Sequence, residues 1–208
     1  MEKFLEAARL AWNPLGEVRR RLNAGTLSVP DVLIPVVAAV IACNLVRMAA
    51  SDFFWNTAIH AADSKSEKLE TPDFVIQFAS ALGILVTVAS LMLLPARAFQ
   101  PRSRTAVAAA LLIVVAASSF YSAAIEAPLY FVEGSLAFQS LQMASSTFDL
   151  LNAPLALGVL GLTVFFWCRI ALAQLTLRVG QVVSITIVVA LGYAAIVGLG
   201  LLISFAAS

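Results

Sequence analysis

The sequence predicts an all-α, polytopic membrane helical bundle: five transmembrane helices, N-terminus inside and C-terminus outside, preceded by short amphipathic N-terminal helices. Three observations carry this expectation. Of 208 residues, 61% are hydrophobic and only 12% charged, and the mean hydropathy is +0.94, well beyond soluble chains. Apolar runs at roughly 33–50, 74–96, 105–125, 150–168 and 182–205 each approach the ~20 helical residues that cross a hydrocarbon core. Ionised residues fall only near the ends of these runs: Arg47, Asp73, Arg97, Arg104, Glu126, Asp149 and Arg169. A charge at the bilayer centre costs about 2.5–3.5 kcal/mol, so charge-free centres mark lipid as the solvent. Run length and the lack of alternation exclude membrane strands.

Ahead of the first span, residues 1–29 read as an amphipathic cytoplasmic or interfacial segment, and 30–208 as the transmembrane domain. Phe4, Leu5, Ala8 and Trp12 share one face of a short helix, with Glu2, Lys3, Glu6 and Arg9 on the remainder. Asn13 before Pro14 reads as an N-cap with proline at the first helical position of a second helix, bearing Leu15, Val18 and Leu22. Gly25 is placed to end it. The first thirty residues lack an apolar core like that of a secretory signal, so the first span is expected to direct insertion. Arg19, Arg20 and Arg21, and Arg102 and Arg104 farther on, are expected to meet lipid headgroups.

Orientation follows from lysine and arginine in the connections. One side collects Lys3, Arg9, Arg19, Arg20, Arg21, Arg97, Arg102, Arg104, Arg169 and Arg178. The other has Lys65, Lys68 and Arg47 among Asp52, Asp63, Glu67, Glu70, Asp73, Glu126, Glu133 and Asp149. The positive-inside rule makes the first side cytoplasmic. Residues 53–72 pass from aromatic to polar and read as a helix extension followed by a loop, and 126–149 as a re-entrant or surface helix. The fourth helix is expected to run past Arg169 to Arg178 and stop at Gly180. Pro35 and Pro154 are expected in the first turns of their helices, where proline is tolerated.

Chemistry is hard to find in this pattern. The single histidine, His60, has no HExxH context, and Ser118, Ser119, Ser184 and Ser204 have no basic partner in their spans, so no catalytic, metal or cofactor site is expected. Cys43 and Cys168 form neither a CxxC pair nor a disulfide framework. A net charge of +1 gives no footprint for nucleic acid. Asn44, Gln77, Asn152, Thr87, Thr163 and Thr186 are the polar residues left to bond between helices or line a path. Arg47 and Asp52 are expected to pair weakly, or Arg47 simply to snorkel, with a subunit contact as the functional alternative. Gly158 with Gly161, and Ala194 with Gly198, give small-residue patches for helix packing or self-association.

Residues 161–207, GLTVFFWCRIALAQLTLRVGQVVSITIVVALGYAAIVGLGLLISFAA, resemble the end of the bacterial branch of the Yip-domain family, five-span relatives of Rab-associated membrane proteins. Trp167, Leu177, Gly180 and Tyr193 carry that resemblance, and LEAARLAWNPLGEVRRRL is similar to the family's opening. A DLYGP stretch and a long polar N-terminal domain, features of the eukaryotic branch, do not occur. The resemblance implies a non-enzymatic scaffold that organises or shapes membrane or assists a complex, working with the lipid bilayer and a protein partner or a second copy. The alternatives are a transporter or channel subunit, or an accessory subunit of a larger assembly. A compact chain with no organelle address and no glycosylation sequon in its far-side loops points to a bacterial inner membrane.

Overall fold

Asn13 and Pro14 separate two short helices as the sequence predicts. In the computed structural model α1 spans Glu2–Trp12 and α2 spans Pro14–Ala24. The Asn13 side chain accepts the Gly16 N–H at 3.0 Å, and Pro14 takes the first helical position, where its missing N–H would have had no partner anyway. Gly25, at φ 69°, ends α2 in the left-handed region that disfavours a side chain. The structure describes residues 2–63, 101–137 and 141–191, with side chains for 5–53, 105–132, 150–151, 154–155 and 157–191. The expected second span at 74–96, the loop beyond residue 63 and the fifth span beyond residue 191 therefore lie outside the described residues.

Among the described residues all regular structure is helical. Three long helices follow: α3, Val29–Asp63; α4, Pro101–Ala137; and α5, Leu141–Ala173. A sixth, α6, covers Val179–Leu191. Among the described residues two apolar stretches are long enough to cross a membrane, Val29–Phe53 with 25 residues and Thr105–Val132 with 28. At ~1.5 Å per residue they measure about 38 and 42 Å, more than the ~30 Å of hydrocarbon. Leu157–Ala173 and Val179–Leu191 are shorter apolar helices.

Three expectations about these helices are corrected. Residues 126–149 do not form a separate re-entrant helix, because α4 continues through Pro128 to Ala137 and α5 starts at Leu141. Phe131 stacks on Phe53 with ring centroids 5.0 Å apart, a contact that rewards continuing α4 past its proline. Pro35 and Pro154 lie inside α3 and α5 rather than in their first turns, since both helices begin earlier than their apolar runs. Finally, α5 stops at Ala173, well short of Gly180. The chain turns back on itself there: Leu175 N–H donates to the Ile170 carbonyl at 2.9 Å, and Thr176 is left-handed at φ 52°. Gln181 Oε1 accepts the Arg178 N–H at 3.0 Å, which caps the start of α6 and places Gly180 within its first turn.

The register between α3 and α4 fixes their direction. Arg47 meets Glu126 and Phe53 meets Phe131, so both contacts advance the same way along the chain and the helices run parallel. Helix α4 is central, with every residue from Val107 to Val114 buried. Leu10 and Val18 of the N-terminal pair join one buried cluster with Val32 and Val36 of α3, Ile113 of α4, Ile170 of α5 and Ile185 of α6. The segment 1–29 thus shares the core of the segment that follows it. The faces turned away are apolar: Leu33, Ile34, Leu45 and Val46 on α3, Leu157, Leu160 and Val164 on α5. On α6 Val179, Val183, Ile187 and Leu191 form one exposed stripe at i, i+4, i+8 and i+12.

Candidate functional site

Helix α1 is amphipathic in a different sense from the one its sequence suggests. Ala7, Leu10 and Ala11 face the bundle, while Leu5 at 57% and Trp12 at 65% exposure, on the face expected to be its apolar one, point outward. On α2, Val18 is buried and Leu22 faces out. The edge of the Trp12 ring is met by Phe120, centroids 5.6 Å apart, and Tyr121 Oη donates to the Trp12 carbonyl at 3.0 Å. The N-terminal pair is therefore docked on α4 by named contacts and still presents apolar side chains outward.

A charged joint completes the docking. Arg21 Nε donates to Glu17 Oε1 at 2.7 Å, its Nη2 pairs with Glu6, and its Nη1 donates to the Asp31 carbonyl at 3.3 Å. That last acceptor is free for a physical reason: Pro35, four residues on, has no N–H to offer it. Arg20 grips the same Glu17 with both ends of its fork, at 3.0 and 2.6 Å. Burial pushes the Glu17 carboxyl up, but the hydrogen bonds and charges of Arg20 and Arg21 outweigh it and hold the group below its ordinary range. Glu17 in turn raises Arg20 above its ordinary value. The expectation that Arg21 meets lipid headgroups is thus corrected: it is 4% exposed and committed to Glu6, Glu17 and α3.

Arg19 and Arg20 both remain at the surface, but only Arg20 is held by a carboxylate. Among the described residues no carboxylate engages Arg19, and it lines a groove with Leu15 and Gly16 from α2 and Arg169, Ala173 and Gln174 from the end of α5. The groove encloses about 220 Å³. Gln174 Nε2 donates to the Leu15 carbonyl at 3.0 Å and ties the two walls together, while its Oε1 is buried without a hydrogen-bond partner. Arg102 and Arg104 fall in the first turn of α4, and their side chains lie outside the described residues.

A second charged pair lies inside the apolar helices. Arg47 reaches Glu126 of α4 at 2.6 Å, not Asp52, which is exposed. Asp52 was expected because it is near in sequence; Glu126 takes its place because the parallel register sets it beside Arg47. Ser122 donates to the other Glu126 oxygen, and Arg47 Nε is buried with no hydrogen-bond partner.

The remaining polar residues of the spans join helices. Thr163 donates to Ser118 at 3.0 Å, linking α5 to α4, and Trp167 Nε1 donates to Thr186 at 3.0 Å, linking α5 to α6. Asn44 bonds its own helix at Val40. Among the described residues a Cβ added at Gly158 or Gly161 would meet nothing within 4 Å, so no described helix packs closely on this patch. Ala194 and Gly198 lie outside the described residues. Cys43 and Cys168 are free thiols, both partly buried. Among the described residues no three of His, Cys, Asp and Glu gather to hold a metal ion. Sequence reasoning missed Glu6 and Gln174, whose partners lie on another helix, and Glu17, for which the spacing at i, i+3 and i, i+4 from two arginines of its own helix was the one available signal.

The class that fold and site define is an all-helical bundle with two membrane-length apolar helices and a salt-bridged N-terminal helical pair. Comparison with known protein families, with curated proteins and with solved structures finds no match to this chain.

Proposed function

We propose that this chain is a non-enzymatic, multi-pass protein of the bacterial inner membrane, with five spans, N-in and C-out. In this reading it organises or shapes membrane, or assists a membrane complex, as the resemblance to the Yip-domain family implies. The observation that supports it best is the parallel course of α3 and α4. Two parallel helices need the chain between them to return from one end of the bundle to the other. The apolar run at 74–96, read from the sequence as a span, would supply that return and preserve the alternation of positive loops. The outward leucines, isoleucines and valines of α3, α5 and α6 suit a lipid solvent and would form a large apolar surface in water.

Topology is tested by labelling single cysteines in intact cells with a membrane-impermeant maleimide, in a background with Cys43 and Cys168 replaced by serine. Ser66→Cys, Ser140→Cys and Ser208→Cys should label from outside, and Ser103→Cys and Thr176→Cys only after permeabilisation. Labelling of Ser66→Cys and Ser103→Cys from one side would overturn the five-span reading. Native mass analysis after gentle extraction should find the chain with a protein partner or a second copy, and a lone monomer with no effect on lipid packing would count against a scaffold.

One observation favours a second reading, a transporter or channel subunit: ionised residues between apolar helices often line a path, and Arg47 with Glu126 is such a pair. Liposomes containing the protein and a panel of solutes test it, and flux no greater than in empty vesicles removes it.

A further inference from the structure

The contacts of the N-terminal pair fix its depth along the spans. At one end Glu6 of α1 is held by Arg21, which also donates to the Asp31 carbonyl near the start of α3. At the other end Trp12 meets Phe120, and its carbonyl accepts the Tyr121 O–H, sixteen positions on from Thr105, where the apolar stretch of α4 begins. Arg47 beside Glu126 sets residue 42 of α3 level with Tyr121, eleven positions past Asp31. Helix α1 therefore rises alongside α3 and α4, both of which it packs against, from the first turn of α3 toward the middle of the spans.

Thr105–Val132 has 28 residues and measures about 42 Å, so centred on ~30 Å of hydrocarbon it overhangs by about 6 Å at each end. Tyr121 stands about 24 Å along the helix from Thr105. Even a phenol leaning back a whole ~5.4 Å turn leaves the Trp12 carbonyl about 10 Å inside the hydrocarbon. The break between the helices is equipped for such a place. Pro14 is buried and has no N–H, and the Asn13 N–H donates to the Arg9 carbonyl at 2.9 Å. The Trp12 carbonyl would ordinarily take the Gly16 N–H, but that donor goes to the Asn13 side chain, and Tyr121 serves the carbonyl instead. Backbone that leaves the helix at membrane depth persists only where the protein meets its polar groups. The exposed faces divide in the same sense: Leu5, Ala8 and Trp12 on α1, against Arg19, Arg20 and Asn23 on α2. Arg9 shares the α1 face about a turn nearer the headgroups, within reach of its long stem.

We infer that α1 and α2 form a re-entrant hairpin whose elbow, Trp12 to Pro14, is inserted in the cytoplasmic leaflet, with lipid acyl chains covering Leu5, Ala8 and Trp12. The polar outer face of α2 meets the headgroups. A hairpin returns the chain to the side it entered from, so the inference rests on the N-in, multi-pass reading above and leaves its number of spans unchanged.

The test is spin labelling of single cysteines in the full chain, with Cys43 and Cys168 replaced by serine, in vesicles of phosphatidylcholine and phosphatidylglycerol. Collision with oxygen, which collects among acyl chains, and with a water-soluble nickel chelate reads the surroundings of each label. Leu5→Cys and Trp12→Cys should favour oxygen, with the Trp12→Cys label the deeper of the two. Asn23→Cys on α2 should meet the chelate several-fold more often than Trp12→Cys does. Ala8→Cys, on the same exposed face, decides the matter if Trp12→Cys loses its contact with Phe120 and fails to fold. A chelate-accessible label at Trp12 or Ala8 would place the hairpin in water, and a label shielded from both probes would put protein over this face; each overturns the inference. Leu45→Cys, on the outward face of α3, keeps the two readings apart. If it too favours the chelate, the membrane reading has failed; if it favours oxygen while the α1 labels do not, only the hairpin has.

Discussion

Arg21 and Arg47 both tie helices together through carboxylates, yet one joint is complete and the other is not. The Arg21 side chain is 5% exposed and each of its three nitrogens has an acceptor, two carboxylates and the carbonyl released by Pro35. The Arg47 side chain is 38% exposed, its partner Glu126 is shared with Ser122, and its Nε has no acceptor. A buried charge is tolerated in proportion to how fully its hydrogen-bonding capacity is met. The N-terminal joint therefore ties α1, α2 and α3 with every Arg21 nitrogen met, whereas the α3/α4 pair leaves Arg47 Nε without an acceptor.

The largest effect should come from breaking the complete joint. Arg21→Met keeps the volume but leaves Glu6 without its partner and Glu17 with Arg20 alone, and should cost about 3 kcal/mol, the low end for an opened buried pair. Thermal unfolding in detergent measures it, and a loss under ~1 kcal/mol, typical of a surface pair, would erase the contrast between the two arginines. Next in size, Arg47→Met or Glu126→Gln should cost about 1.5–3 kcal/mol, as for a hydrogen bond to a charged group. The double variant should cost less than the sum of the two, and strict additivity would deny the pair.

Acid sharpens the comparison further. The Glu17 carboxyl is held below its ordinary value of 4.5 in the folded chain, so the folded state binds its proton less readily than the unfolded one. Its contribution is whole above the ordinary value and fades as pH falls through the depressed one. Protection of α1 and α2 against hydrogen exchange should fall in that acidic window, and Glu17→Gln, already less protected at neutral pH, should lose the part of the pH response that Glu17 supplies. The smallest effects belong to the turns outside both joints. Gly25→Ala should cost about 1 kcal/mol and Thr176→Gly should gain up to about that much, because both positions are left-handed. A loss on Thr176→Gly would show that the threonine side chain holds the turn.

Much of the local structure was legible. Asn13, Pro14 and Gly25 announced the bounds of α2 because capping acts within four residues. The end of α5 was not legible, since Gly180 is the better stop signal by composition and the turn is instead held at Thr176 by bonds back to Ile170 and Ala171. Among candidate site residues, Arg19 could be read as a surface cation, but that it lines one groove with Arg169, 150 positions on, could not.

By itself the sequence determined what depends on composition and short-range pattern: helical structure, apolar stretches of membrane length, and caps on the N-terminal pair. Tertiary structure alone decided the pairing of charges, setting Arg21 on Glu6 and Arg47 on Glu126. The reason is one of range. Hydrophobic periodicity and capping are properties of a few neighbouring residues, whereas an ion pair between helices depends on their direction and register, which only the packed bundle sets.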